Sequence, residues 1–193
     1  DAHFHAPFKM NDHVETYVVQ EAIWDRGEAR GSLSKQVGKS YSADGVHLCT
    51  VETYDCCIYD GGFGGERPPK DVVEYPDREP DLAYEEVCGY QWPLIYRLMG
   101  DWHQQHIDFA YTEQTGLARP IAHGVSLGGF AMRHIISSFF PGEPERMTRF
   151  KTRITSPVLP GGALETRMWK VGDNEIRFQL VDADADETGA KPH

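Results

Sequence analysis

The sequence lacks the long apolar runs and the cysteine pattern by which membrane and disulfide-rich proteins are recognised. No apolar run approaches the roughly 20 residues that cross a bilayer, and no signal peptide is apparent, so we expect no membrane partner. The four cysteines, at positions 49, 56, 57 and 88, include no Cys-x-x-Cys pair. This usage favours reduced thiols in a cytoplasmic protein.

Positive charge is also scarce, with 19 Lys and Arg against 30 Asp and Glu and a net charge of −11. Nucleic-acid binding usually shows as a basic stripe, and its absence argues against a nucleic-acid partner. An anionic substrate would instead need a local basic patch. The candidates for it are Arg67, Lys70, Arg149, Lys151 and Arg153. The 40% of hydrophobic residues exclude a disordered chain.

The chain to about residue 75 reads as strands followed by a glycine-rich loop. Segments rich in β-branched and aromatic residues predict an antiparallel meander over 16–24, 31–41 and 46–59. Residues 61–65, Gly-Gly-Phe-Gly-Gly, cannot form regular structure. Their amides could approach a phosphate, or the glycines could simply begin a flexible linker. We place a boundary near residue 75.

The rest of the chain predicts one long helix and several strands. Residues 124–139 are small and apolar, and their Gly128-Gly129 pair costs about 1 kcal/mol per glycine in a free helix, which predicts a buried helix. Its apolar stripe comprises Leu127, Phe130, Ala131, His134 and Ile135. A shorter helix is expected at 92–99 and a helical turn at 112–115, with strands at 146–156, 163–171 and 174–183. This pattern favours an α+β fold.

Four ionisable groups stand in the loop before the long helix, in Gly100-Asp101-Trp102-His103-Gln104-Gln105-His106-Ile107-Asp108. An Asp and a His together can accept a proton and return it near neutral pH. Asp101 and His106 are five positions apart, so they converge only if the loop folds back. The plain alternative is a solvated polar loop.

Two further interpretations concern the histidines. His103, His106, Asp108 and His123 could together hold zinc, but the loop lacks the stiff helical or knuckle context of such sites, so we expect no metal. Asp108 and His123 are expected to orient the loop through hydrogen bonds. His134 is expected to be a hydrogen-bonded core histidine.

The segment Arg119-Pro120-Ile121-Ala122-His123-Gly124 leads directly into the long helix. The first amides of a helix have no internal acceptor and lie at its positive end. The Gly124 amide is therefore a candidate oxyanion-hole donor, and glycine there would let a thioester carbonyl come close.

These motifs resemble a known family. Gly100-Asp101-Trp102, His106-Ile107-Asp108 and the segment ending in His123-Gly124, at this spacing, are similar to the hydratase motif of MaoC-like dehydratases and R-specific 2-enoyl-CoA hydratases. Arg149-Phe150-Lys151, Pro157-Val158, Pro160-Gly161 and Met168-Trp169-Lys170 extend the similarity. The glycine run at 61–65 resembles more weakly the end of the first repeat in double-hotdog hydratases, including the hydratase part of peroxisomal multifunctional enzymes.

The resemblance implies reversible hydration of a trans-2-enoyl-CoA to the (3R)-3-hydroxyacyl-CoA without metal or redox cofactor. Asp101 and His106 would bind and activate the water, and the Gly124 amide would hold the thioester oxygen. The substrate-binding candidates are Trp102, His103, Gln104, Gln105, Ile154, Gly64 and Arg67, of which Ile154 would line the acyl pocket. The rivals are a dehydratase acting on another thioester, such as a dicarboxylic, polyketide or steroid side-chain CoA ester, and a non-catalytic hotdog subunit.

The chain departs from the family pattern in three places. His103-Gln104-Gln105 replaces the usual Asn-Pro-Leu, whose Asn helps to hold the water; His103 could substitute as a donor. The first repeat begins in its middle, and the chain stops at Gly189-Ala190-Lys191-Pro192-His193 before the expected last strand.

The expected architecture is therefore a double hotdog of class α+β. Residues 1–75 form a reduced first repeat, and 76–193 form a second repeat with the catalytic loop and central helix. We expect an acyl-CoA partner and a homodimer or hotdog hetero-oligomer, because an exposed sheet edge invites pairing. The expected location is cytoplasmic, or peroxisomal in a eukaryote.

Overall fold

The computed structural model describes residues 1–183, and these form two compact units. The first unit comprises residues 1–73 and 145–151, and the second comprises 74–144 and 152–183 of the described chain. The division at 73/74 lies next to the boundary placed near residue 75, but the return of 145–151 to the first unit was not anticipated. The chain was expected to stop at residues 189–193, before a last strand. These residues lie outside the part that the structure describes.

The described chain contains eight strands and three α-helices. The strands are β1 (Ala2–Phe4), β2 (Val14–Asp25), β3 (Ser32–Ser42), β4 (His47–Cys57), β5 (Leu82–Val87), β6 (Arg149–Phe150), β7 (Ala163–Lys170) and β8 (Ile176–Asp182). The helices are α1 (Trp92–Tyr96), α2 (Phe109–Gln114) and α3 (Gly124–Phe139), with 3-10 turns at Arg97–Met99, Gln104–His106 and Pro144–Arg146. No helix in the described part of the chain is long and apolar enough to cross a membrane.

The first unit is an antiparallel sheet in the order β2-β3-β4-β1-β6. The predicted meander is confirmed as β2, β3 and β4, with a bulge in β2 between Gln20 and Ala22. The strand predicted at 146–156 is wrong over most of its length, because only Arg149 and Phe150 pair, and they pair with β1. Alternation detects an extended chain, whereas the pairing partner is set by the tertiary fold.

The glycine loop of the first unit is held by Asp25, the last residue of β2. Its carboxylate accepts the amides of Gly27 at 2.7 Å, Gly62 at 2.9 Å and Gly64 at 2.7 Å. These backbone donors, Gly62 and Gly27 foremost, lower the pKa of Asp25. Gly62 and Gly64 have φ of 83° and 77°, in the left-handed region that favours glycine. Asp25 thus holds the glycine loop at Gly62 and Gly64.

The second unit packs α3 on a three-stranded antiparallel sheet in the order β5-β7-β8. The predicted stripe of α3 is buried from Leu127 to Ile135. Gly128 is buried as expected, whereas Gly129 is exposed and so only half of the glycine pair follows the prediction. The buried cluster around the helix comprises Cys88, Ala122, Leu127, Phe130, Val158, Leu164 and Leu180. Strand β5 was missed because its residues are mostly exposed and show no polar–apolar alternation.

His134 joins α3 to the sheet through a buried polar network. Its ring is inaccessible to solvent, with Nδ1 lying 2.8 Å from Thr166 Oγ1 and Nε2 2.9 Å from Glu86 Oε2. The ring of Tyr84 lies 4.3 Å away, and Arg133 also pairs with Glu86. The prediction of a hydrogen-bonded core histidine is confirmed. Burial, the largest cause, lowers the pKa of His134 although Glu86 opposes the shift.

This network makes the stability of the protein sensitive to acid. Since the pKa of His134 is lower in the folded chain than its ordinary 6.5, the unfolded chain binds more protons below pH 6.5. The free energy of unfolding should therefore fall as the pH is lowered from 7 to 5, by up to about 1.4 kcal/mol per pH unit for this one group. Chemical unfolding of wild type and His134→Gln across this range should give a shallower slope for the variant. Parallel slopes would contradict the assignment. Part of the slope should survive, because the pKa of His123 is also lowered.

Candidate active site

The loop at residues 100–108, in the second unit, folds back on itself. The amide of His103 donates to Asp101 Oδ1 at 3.3 Å, and the amide of Gln105 donates to His103 Nδ1 at 3.2 Å. His103 thereby caps the 3-10 turn at Gln104–His106. One oxygen of Asp101 and one ring nitrogen each of His106 and His123 consequently lie within 4.8 Å of one another. Asp101 and His106 thus converge, as their spacing required.

The backbone at Ile121 fixes the ring of His106. His106 is only 6% exposed, and its Nδ1 lies 2.9 Å from the carbonyl oxygen of Ile121. A carbonyl can only accept, so Nδ1 carries the hydrogen and Nε2 of the neutral ring carries a lone pair. The amide of Ile121 in turn donates to the carbonyl of Gln105 at 3.1 Å, which ties the two segments together. Nε2 is therefore the proton acceptor of the neutral His106 ring.

His123 supports His106 from within the protein. It is 1% exposed, and its ring stacks on that of His106 with centroids 3.7 Å apart and planes 25° apart. Its Nε2 lies 3.4 Å from the carbonyl oxygen of Asp101, and the ring of Tyr96 lies 4.7 Å away. Burial first, and then the neighbouring His106, lower the pKa of His123. The ring of a neutral His123 therefore packs against that of His106 and orients it. This agrees with the orienting role predicted for His123.

The three converging donors are poorly arranged for a metal ion. Ring nitrogens bind metals along their own planes, and stacked planes direct their lone pairs side by side rather than towards one point. The group also differs from the one considered from sequence, since it includes Asp101 and leaves out His103 and Asp108. Asp108 instead caps α2, its Oδ1 accepting the amides of Ala110 at 2.9 Å and Tyr111 at 3.2 Å. The structural role predicted for Asp108 is confirmed.

The N-terminus of α3 follows His123 directly. His123 is the N-cap residue, with an extended backbone and no capping hydrogen bond from its side chain. As the first residue of the helix, Gly124 has no intrahelical acceptor for its amide. A Cβ at position 124 would collide with the end of the Ile154 side chain. The two residues thus lie in contact at one end of a narrow apolar groove, whose other lining residues include Leu127, Gly128, Ala131, Phe178 and Leu180.

Residues 73–190, about three fifths of the chain, match the family model described as the MaoC like domain. The chain belongs to the MaoC-like family. Its matched part takes in the described residues of the second unit, with Asp101, His106 and Gly124, and also residues 145–151 of the first unit.

Curated relatives carry hydratase and dehydratase names. The chain is 36% identical over 143 residues to peroxisomal multifunctional enzyme type 2 of Mus musculus, covering 72% of this chain and 19% of that protein. It is 38% identical over 122 residues to probable enoyl-CoA hydratase 2 of Dictyostelium discoideum, covering 62% and 42%. It is 30% identical over 192 residues to 3-hydroxyacyl-thioester dehydratase Y of Mycobacterium tuberculosis, covering 97% and 66%. This MaoC-like chain thus spans between a fifth and two thirds of the length of these relatives.

Solved structures establish the hotdog fold. Full-length peroxisomal multifunctional enzyme type 2 of Drosophila melanogaster matches with a TM-score of 0.82 at 24% identity, over 95% of this chain and 33% of that one. A Mycobacterium tuberculosis protein described as having a double hotdog fold matches with a TM-score of 0.61 at 13% identity, over 99% and 70%. The predicted α+β double-hotdog class is confirmed.

The remaining candidates of the MaoC-like site are placed unevenly. Trp102 is 61% exposed, with the guanidinium of Arg97 4.7 Å from its ring centre. Gln104 is exposed, whereas the side-chain amide of Gln105 lies 3.2 Å from His106 Nε2. Gly64 and Arg67 belong to the first unit, where the Gly64 amide is taken by Asp25 and Arg67 donates to the Asp25 carbonyl at 3.3 Å. The substrate-binding role of these five residues stays a prediction.

Two further basic candidates of the first unit, Arg149 and Lys151, pair with carboxylates. Arg149 donates to both carboxylate oxygens of Asp1, at 3.1 and 2.7 Å, and Lys151 lies 2.7 Å from Asp71. A patch for the CoA phosphates at these positions would have to compete with the carboxylates.

Sequence reasoning missed two parts of this MaoC-like site. The carbonyl of Ile121 was missed because a sequence pattern identifies side chains and not backbone atoms. Ile121 nevertheless lies inside the recognised motif ending at Gly124. Tyr96 lies within the predicted helix 92–99, five residues before Asp101, and nothing in its spacing pointed towards His123. Burial, and then the charge of Asp101, raise the pKa of Tyr96.

The two carboxylates of the loop, Asp101 and Asp108, should differ in how much they contribute to the free energy of unfolding. Asp108→Ala removes the acceptor for two helix amides and should lower the free energy of unfolding by about 1 kcal/mol. Asp101→Ala, which removes only the longer contact to the His103 amide, should cost less than half of that. Chemical unfolding of both variants measures the difference, and equal losses would show that Asp108 is not the structural partner.

Proposed function

We propose that this chain hydrates a trans-2-enoyl-CoA to the (3R)-3-hydroxyacyl-CoA, and catalyses the reverse dehydration. The observation that carries the proposal is the convergence of an Asp101 carboxylate oxygen with a ring nitrogen of His106 beside His123, the N-cap residue of α3. The names of the curated relatives support the reaction class.

The arrangement supplies what hydration needs. Water gives its hydroxyl to the β-carbon and a proton to the α-carbon, so one group must accept a proton and the pair must return one. His106 Nε2 is the acceptor for the water proton, since Nδ1–H is held by Ile121. Asp101 holds the second side of the water, and the proton delivered to the α-carbon comes from the same pair. No proton is gained or lost over the cycle.

Negative charge gathers on the thioester oxygen as the hydroxyl adds. The Gly124 amide is a donor that is in place before the reaction and lies at the positive end of a helix of 16 residues. Donors of this kind contribute about a hundredfold to a thousandfold in rate. Glycine at 124 lets Ile154 pack close to this end of the helix, because a Cβ there would collide with the end of the Ile154 side chain.

The groove beside Gly124 is a suitable place for the first carbons of the acyl chain. Small residues at positions 124, 128 and 131 line one side of the groove along α3, and Ile154, Phe178 and Leu180 line it with apolar atoms. Burying each methylene there gains about 0.8 kcal/mol. Ile154 therefore lines the acyl pocket in this proposal.

We further propose that the protein works as a dimer, in the cytoplasm or, in a eukaryote, the peroxisome.

Loss of either member of the acid–base pair should abolish hydration. Asp101→Asn and His106→Gln keep the size of the side chains and remove their proton-accepting groups, so kcat should fall by at least about a hundredfold. The disappearance of the enoyl absorbance of crotonyl-CoA, with chiral analysis of the product, measures rate and stereochemistry. Glu113→Gln, at an exposed site on α2, is the matched control and should keep the wild-type rate. Wild-type rates in either active-site variant, or an (S) product, would refute the proposal.

A further inference from the structure

We propose that Gln105 is a positioning residue, whose side-chain amide occupies the Nε2 lone pair of His106 in the substrate-free protein and gives that place to the water. The kinetic consequence rests on the hydratase function proposed above, whereas the contact itself does not. It assigns a role to one of the three residues that replace the usual Asn-Pro-Leu of the family.

The direction of the contact follows from the ring of His106. Because the Ile121 carbonyl takes the hydrogen on Nδ1, Nε2 of the neutral ring can only accept. The atom of Gln105 that lies 3.2 Å from it must then be the amide nitrogen, which donates. A Gln oxygen at that place would put two lone pairs face to face.

Gln105 is held so that its side chain alone can move. Its amide donates to His103 Nδ1 at 3.2 Å, and its carbonyl accepts from the Ile121 amide at 3.1 Å. The backbone is therefore tied on both sides of the turn, while the side chain is only partly buried. Rotation of the side chain releases the lone pair without disturbing His106, since the ring keeps its bond to Ile121.

Water and the Gln105 amide compete for one site. Nε2 has a single lone pair, so the general base cannot hold the amide and the water at once. Displacing an ordinary hydrogen bond costs enough to slow a step by about twofold to tenfold. In the substrate-free protein the Gln105 amide thus occupies the position of the water at His106 Nε2 and keeps water out of it. The leucine usual at this position has no donor and could not fill this role.

The test combines a spectroscopic signal with kinetics on the full 193-residue chain. Gln105→Leu and Gln105→Met remove the donor and keep an apolar side chain of similar length. The ¹⁵N resonance of His106 Nε2 in the substrate-free protein should move towards that of a free imidazole lone pair in both variants. With crotonyl-CoA, kcat/KM should rise by about twofold to tenfold. Gln114→Leu, an exposed site at the end of α2, should change neither.

The outcomes separate the two proposals. An unchanged His106 resonance in both Gln105 variants, or a shifted resonance with a lower kcat/KM, would overturn the role of Gln105. A resonance that shifts as expected in a chain whose wild type does not hydrate any enoyl-CoA would support the contact and count against the hydratase function.

Discussion

The hydrogen bond from His106 Nδ1 to the carbonyl of Ile121 is the contact on which the rest of the site depends. It fixes the tautomer of a ring that is almost fully buried, and so it decides which nitrogen can take a proton. It also joins the catalytic loop to the segment that enters α3, because Ile121 lies three residues before Gly124. The proposed base and the proposed oxyanion donor are thus held in one backbone framework, as catalysis by fixed dipoles requires.

Packing within the second unit also supports this framework. The apolar stripe of α3 is buried against the sheet, and His134 adds buried polar contacts to Glu86 on β5 and Thr166 on β7. Breaking one of these contacts would leave an unsatisfied buried group, which makes the helix position costly to change. These contacts consequently hold α3 in place on the sheet.

Much of this could be predicted from the sequence, and the exceptions have physical causes. Helix α3 was predicted with its exact bounds, since a stripe from Leu127 to Ile135 has one periodicity and Pro141-Gly142 ends it. The convergence of Asp101 and His106 was expected from residue types and a family motif, and the structure brings the two side chains together. The placement of 149–150 in the first unit was not, because strand pairing is decided by distant parts of the chain. Nor were the Ile121 carbonyl and the Gln105 contact, which depend on backbone atoms and on one rotamer.

The measurement that tests the central claim most directly is a crystal structure of the protein with the (3R)-3-hydroxyacyl-CoA product bound. The account predicts the thioester oxygen at about 3 Å from the Gly124 amide nitrogen and the 3-hydroxyl between Asp101 and His106 Nε2. The Ile121 carbonyl should still accept from His106 Nδ1. A product whose thioester lies away from the N-terminus of α3, or a His106 ring that has left Ile121, would contradict it.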